Sequence, residues 1–402
     1  MHNRILSIFG LQGLKVSKVI EYYRQIFIYV FPKRKTAECT SCGKRSRTIH
    51  DHRKPSVIKH LKLGKRQTYL VVSKRRFFCK ACQKPFTETL PGINKWQRKT
   101  RALDEEIIES LREMSFASIK RRFGVNYKAQ VKLLKHTMKP FEGSWKEEKR
   151  SGKPISIGID EHSFSGHDMC ITVTNLTTPS LKSILPDDTK KTLDTFFSKI
   201  PDGVKSKITS FCIDMKKMYK LSIKRNFPNA KVVVDHFHLI YDANRRIDEE
   251  RRITQEMKKV KIPRKLFLKN KENLSGTEKD LINSFFTMYP DLKFYWHIKE
   301  SLRDMYKLKE KGKAQEKLNS LVRMMYKQRE RGLTQWANTL EYWKDEILNF
   351  YDYRITNAYT EGIHTKLKLI KRIGFGFRNK EVYIRKAALA CLPLAMLPHF
   401  SQ

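Results

Sequence analysis

The period of the hydrophobic positions changes several times along the chain, and each change marks a different kind of structure. Residues 155–161, Ile-Ser-Ile-Gly-Ile-Asp-Glu, alternate apolar with small or polar positions and end abruptly in two carboxylates. That is the pattern of a buried strand delivering acid to the edge of a sheet. Residues 208–214 end the same way, in a lone Asp ahead of a Lys-rich stretch with helical character. Residues 168–174 and 181–185 continue the strand pattern as a meander; 189–200 and 218–227 read as helices and 231–234 as a further strand. Three antiparallel strands followed by helix, strand, helix and strand is the order of a ribonuclease-H-like α/β fold with a mixed sheet.

Ahead of this core, short apolar runs at 16–22 and 25–31 have the β-branched and aromatic content of strands, so residues 1–95 read as a β-rich module. Leu103, Ile107, Ile108 and Leu111 recur at helical spacing. With a short helix over 116–123, a turn at Gly124-Val125-Asn126 and a second helix over 127–136 capped by Asn126, they make 96–140 a helix-turn-helix region. Lys128, Gln130, Lys132 and Lys135 are then candidates to face a DNA groove, although helix pairs with glycine turns also occur in ordinary folds. Residues 141–154, interrupted by Gly143, Gly152 and Pro154, read as a linker. The remainder, 155–402, is the core. Within it, 243–350 is rich in Lys, Glu, Leu and Arg at helical spacing and reads as an all-α insertion around Trp296, Trp336 and Trp343.

Charge narrows the partners. The chain carries 83 Lys plus Arg against 41 Asp plus Glu, a formal +42. Such self-repulsion opposes folding and points to a polyanion. Basic residues run from Arg4 to Arg385 with aromatic residues interleaved, which favours nucleic acid over a membrane surface. No run of about 18 apolar residues is present to span a bilayer. The N-terminus lacks a signal peptide's apolar stretch and cleavage site, so the expected location is cytoplasmic and nucleoid-associated.

Cys39-Thr-Ser-Cys42 and Cys79-Lys-Ala-Cys82 form two C-x-x-C pairs separated by 36 residues. Each pair places two thiolates on one tetrahedral zinc, and four protein ligands would make the ion structural. Uncoordinated thiols are the alternative, and a reducing cytosol disfavours disulfides. His50, His52 and His60 between the pairs read as phosphate contacts or ordinary surface residues. Arg66, Lys74, Arg75 and Arg76, with Tyr69, Phe77 and Phe78 nearby, form either a DNA-docking surface or a solvated charged face.

The candidate chemistry sits at the strand ends. Adjacent strands would bring Asp160 and Asp214 side by side, and neither carboxylate stays ionised there without a partner; a divalent metal is the natural one. Asp235 and His238, just past a strand, are expected to orient the backbone near the site rather than to ligate. Far downstream, Asn357, Glu361, His364 and Lys368 fall on one helical face. The stretch Gly374-Phe375-Gly376-Phe377-Arg378 then makes a flexible aromatic-basic loop suited to DNA contacts.

Taken together these motifs resemble, over nearly the full length, the bacterial insertion-sequence transposases of the ISL-three family. The matching stretches are 39–82, 157–161, 213–215, 235–238, 356–371 and 374–378. The resemblance implies that Asp160, Asp214 and Glu361 are a DDE triad holding two Mg2+ (or Mn2+) ions, with Glu161 in reserve for Asp160. Asp235 and His238 correspond to an Asp-x-x-His signature. His364 and Lys368 would steady the scissile phosphate, with Asn357 on the same face and Arg378 contacting DNA. Water would first cut a phosphodiester at the element's end, and the freed 3′-hydroxyl would then attack target DNA. Double-stranded element ends and target DNA are the implied partners, and paired ends imply a dimer or larger synaptic assembly. Two rival readings are a DNA-binding repressor with a decayed core and a ribonuclease-H-like nuclease without strand joining.

Overall fold

The computed structural model describes residues 11–93, 97–141 and 144–393. The expectations for residues 1–10, Gly143 and the final residues 394–402 lie outside these. By contact density the chain divides into two units, one of residues 1–139, 370–376 and 385–402, the other of 140–369 and 377–384.

In the first unit, the described strands build two small sheets and one two-stranded ribbon. Strands β1 (Leu14–Glu21) and β2 (Gln25–Pro32) form a hairpin. The first cysteine pair lies between β3 (Ala37–Glu38) and β4 (Arg45–Ser46). Next come β5 (Ile49–His52), β6 (Ser56–Lys59), β7 (Gln67–Val72), β8 (Arg75–Cys79) and β9 (Lys84–Thr87). Among the described residues, β1-β2-β7-β6 is one sheet, β5-β8-β9 another, and β3-β4 the ribbon. Leu14, Ile26, Ile28, Val30, Leu70 and Val72 pack one face of the larger sheet. His60, expected on the surface, is buried instead and shares a hydrogen bond with Thr100 Oγ1 at 2.8 Å; burial pushes its pKa down to about 4.

Three capped helices follow: α1 (Arg101–Leu111), α2 (Phe116–Phe123) and α3 (Tyr127–Met138). Thr100, Ser115 and Asn126 each accept a backbone N–H of the first turn, which terminates the helices at their N-ends. Gly124 closes α2 at φ 62°, a conformation that costs a residue with Cβ.

The second unit opens with α4 (Lys146–Arg150), where a linker was expected. Trp145 is buried, and Glu148 accepts from Lys182 Nζ at 2.7 Å and Asn175 Nδ2 at 3.1 Å. A buried ion pair and an indole fasten this segment to the sheet.

That sheet contains β10 (Ile155–Ser165), β11 (Asp168–Asn175), β12 (Ser180–Leu185), β13 (Ile208–Ile213) and β14 (Lys231–Val234), in the order β12-β11-β10-β13-β14 among the described residues. The first three pair antiparallel; β13 and β14 run parallel to β10. Helices α5 (Lys190–Ser198), α6 (Asp202–Lys205) and α7 (Lys217–Asn226) supply Leu193, Phe197, Val204, Tyr219 and Ile223 to the core over Ile157, Phe211, Ile213 and Val232.

From α8 (His236–Lys258) the chain is helical through α9 (Arg264–Leu268), α10 (Gly276–Met288), α11 (Pro290–Tyr306), α12 (Lys311–Lys327), α13 (Arg331–Tyr342), α14 (Lys344–Leu348) and α15 (Phe350–Tyr353). Trp336 and Trp343 are buried in it and Trp296 packs against it. Helices α16 (Ala358–Ile373) and α17 (Lys380–Cys391) complete the described chain.

Candidate active site and metal centres

Strand register builds the candidate site. Gly158 on β10 aligns with Cys212 on β13, and Cys212 with Val233 on β14. Two residues beyond each aligned position stand Asp160, Asp214 and Asp235, so three acids lie level at one edge of the parallel strands. The edge is where side chains past the last backbone pair can converge on a ligand.

Helix α16 brings the fourth acid. Its first turn lies against β10 and β11 because Gly158 has no side chain: a Cβ there would come within 2.6 Å of Thr174 Oγ1 and 2.7 Å of both Asn357 Oδ1 and Thr360 Oγ1. Asn357 Nδ2 donates to Ile159 O at 3.1 Å, and Thr360 and Thr174 share a hydrogen bond of 2.7 Å. So anchored, Glu361 gathers with Asp235 and His238, their ligand atoms all within 4.8 Å of one another. Asp160 joins through His238, whose Nε2 stands 3.8 Å from Asp160 Oδ1, and through His364, whose Nδ1 is 3.4 Å from Oδ2.

The electrostatics of these groups differ. Burial raises the Asp160 pKa, but His238 and His364 outweigh it and hold the carboxyl below its usual range. Asp214 is raised to about 6 by burial and then by the Glu161 and Asp160 carboxylates. Burial and Asp235 also raise Glu361. The Asp160 carboxylate lifts His238 to about 9, while burial lowers His364. Such a cluster of unneutralised acids is what a divalent cation relieves. Asp235 fits that role: it is fully buried and caps α8 through Oδ1, while Oδ2 has no hydrogen-bond partner. Asp235 and His238, expected from the sequence to support the site, stand in one group with Glu361, an arrangement that would also let them hold a cation. Lys368 is exposed on α16. Glu161 accepts from Tyr219 Oη and Lys216 Nζ, so its carboxylate is committed to a structural network.

The four cysteines of the first unit form the second centre, with all four Sγ atoms within 4.8 Å. Cys39 and Cys82 are 3.9 Å apart, Cys42 and Cys79 3.7 Å. Backbone N–H groups of Cys42 and Ser41 lower the Cys39 thiol to about 6, whereas its neighbours, Cys42 first, push Cys82 up to about 12. Four thiols this close cannot all ionise without a cation between them, and a tetrahedral zinc is the ion that suits four sulfurs.

The expected DNA contacts divide. Lys128, Lys132, Lys135 and Arg378 are exposed. Gln130 is not a groove contact: it is 0% exposed, and its Nε2 donates to Val125 O at 2.7 Å and Phe116 O at 3.1 Å, bracing the turn between α2 and α3. Arg75 is consumed by Glu88, to which its Nη2 donates at 2.7 Å, and it lies over the Phe77 ring. Arg76 pairs with Asp51 at 2.8 Å and Arg66 with Glu21 at 2.6 Å; Lys74 is half-buried.

Comparison with known proteins supplies the class. A family model described as a transposase, that of the ISL3 DDE transposases, matches residues 157–387, more than half of the chain. A second, described as the zinc-finger of transposase IS204/IS1001/IS1096/IS1165, matches residues 35–82 and spans all four cysteines. The class is therefore an insertion-sequence transposase with a zinc ribbon at its four cysteines. The transposase for insertion sequence element IS1001 of Bordetella parapertussis is 24% identical over 96% of this chain and 97% of its own length. The transposase for IS1557 of Mycobacterium tuberculosis is 25% identical over 60% of each chain. This chain belongs to the ISL3 family of transposases.

Proposed function

We propose that this transposase cleaves phosphodiester bonds at the ends of its element and joins the freed 3′-hydroxyl to target DNA. Asp160, Asp214 and Glu361 are the acids of the reaction, and Asp235 and His238 are further ligands in the same site. The observation that carries the reading is the partnerless, buried Asp235 Oδ2 gathered with His238 and Glu361 beside the in-register Asp160 and Asp214. The strand order of the five-stranded sheet supports a ribonuclease-H-like core. Bound at these carboxylates, Mg2+ or Mn2+ would supply an activated water and neutralise charge on the phosphate.

The residues themselves do the positioning. His238 and His364 hold Asp160 ionised, and the Asn357 bond to Ile159 O fixes the helix that carries Glu361. Exposed Lys368 lies one turn beyond His364, where its charge suits the phosphate backbone. Structural zinc belongs to the four cysteines, and paired element ends call for a homo-oligomeric synaptic assembly.

The test is cleavage and joining of a labelled element-end duplex with Mg2+, comparing wild type with Asp160→Asn, Asp214→Asn, Asp235→Asn and Glu361→Gln. Each variant is expected to bind DNA and lose about 10³-fold or more in cleavage, the loss of several kcal/mol of electrostatic stabilisation. Cleavage without joining would favour a nuclease. Binding without cleavage by the wild type would make the protein a repressor and overturn the site.

A further inference from the structure

Helix α16 ends in a strained cap. The Gly376 N–H donates to Lys371 O at 3.0 Å and the Phe375 N–H to Arg372 O at 3.1 Å, the paired bonds of a Schellman motif. This motif holds the position of Phe375 in the left-handed region, where glycine is preferred because a Cβ crowds the carbonyl. Phe375 has φ 53° even though glycines stand on both sides of it. The other non-glycine residues with positive φ among those described are Gln83, Lys259, Arg329 and Arg354, all with long polar side chains. Phe375 is the aromatic exception.

Packing does not account for it. The ring is 94% exposed, more than any other large hydrophobic side chain described. A bulky ring in strained backbone and turned to water has no use within the folded chain, so the contact that uses it lies on another molecule. The flanking sequence defines the chemistry of that molecule. Lys366, Lys368, Lys371, Arg372 and Arg378 flank Phe375 in sequence, and no Asp or Glu occurs between Glu361 and Glu381. An exposed aromatic ring in a basic segment matches DNA, with cations on the phosphates and the ring against a base face.

We propose that Phe375 is a stacking wedge that inserts at an opened base step of the DNA on which the transposase acts. The proposal rests on the DNA transposase reading and adds to it a residue that grips unpaired bases. Because a wedge must unstack the duplex, its affinity rises when the step is already open.

The full chain is titrated with a fluorescein-labelled duplex containing one T·T mismatch and with a fully paired duplex of otherwise the same sequence. Wild type is expected to prefer the mismatched probe by about tenfold, the size of one base–aromatic stack. Phe375→Gly should bring that ratio close to one and leave paired-duplex binding and its salt dependence unchanged. The same variant should melt at the same temperature or about 1–3 °C higher, because it relieves the left-handed strain. Phe375→Trp should keep the preference. The wedge is overturned if wild type shows no mismatch preference, if Phe375→Gly retains it, if Phe375→Gly weakens both probes equally, or if it lowers the melting temperature by several degrees. Failure of the wild type to bind either probe would instead overturn the DNA transposase reading.

Discussion

Asp160 and Asp214 carry the same group at the same level of the sheet, yet their surroundings drive them apart. Two histidines hold Asp160 low; burial and Glu161 raise Asp214 to about 6, and Asp160 raises His238 to about 9. Both raised groups bind more protons folded than unfolded, so their contribution to stability is greatest at low pH. It is lost as pH rises through about 6 for Asp214 and about 9 for His238. A divalent cation takes the place of those protons. Stabilisation by Mg2+, read as the shift in melting temperature, should therefore be small below about pH 6 and grow towards about pH 9. A shift that is flat across this range would show that these groups do not hold the ion.

Helix α16 reaches the sheet only where β10 lacks a side chain. Gly158→Ala would set a methyl group within 2.7 Å of three side-chain oxygens. It is expected to cost about 1–3 kcal/mol by overpacking, and to move Glu361 away from Asp235 and His238. Thermal melting reads the first effect and the loss of the Mg2+ shift reads the second. Full cation binding by Gly158→Ala would mean that the helix does not depend on this approach. The same logic separates Gln130 from the lysines of α3. Periodicity placed all of them on a helix, but only the packing of α2 against α3 turned Gln130 inward to satisfy two carbonyls.

Across the whole molecule, a charge of +42 makes DNA affinity strongly dependent on salt. No helix of the described residues is long and apolar enough to cross a membrane. The core around the cysteines is small, with Cys39, Phe77, Cys79 and Phe86 at its centre. A core of that size relies on its metal for stability. Native mass spectrometry of the full chain should show about one tightly held zinc, the complement of four sulfur ligands. Cys79→Ser should lose the zinc, and residues 35–87 should lose protection from hydrogen exchange. Retention of that protection without zinc would make the cysteines dispensable to the fold.

What the sequence determined by itself was local and periodic. Alternation located β10 and β13, with Asp214 just past the end of β13, although β10 runs on past Asp160 and Glu161 to Ser165; Asn126 marked the start of α3, and C-x-x-C spacing marked the four sulfurs. The tertiary structure decided what depended on distance across the chain. Register made Asp235 the third acid of a row, and burial left its Oδ2 open for a ligand. Burial also removed Gln130 from the surface, and Glu88 claimed Arg75. The reason is physical: hydrophobic period and capping are properties of neighbouring residues, whereas a side chain's partner is set by whichever distant group the fold brings within hydrogen-bond reach.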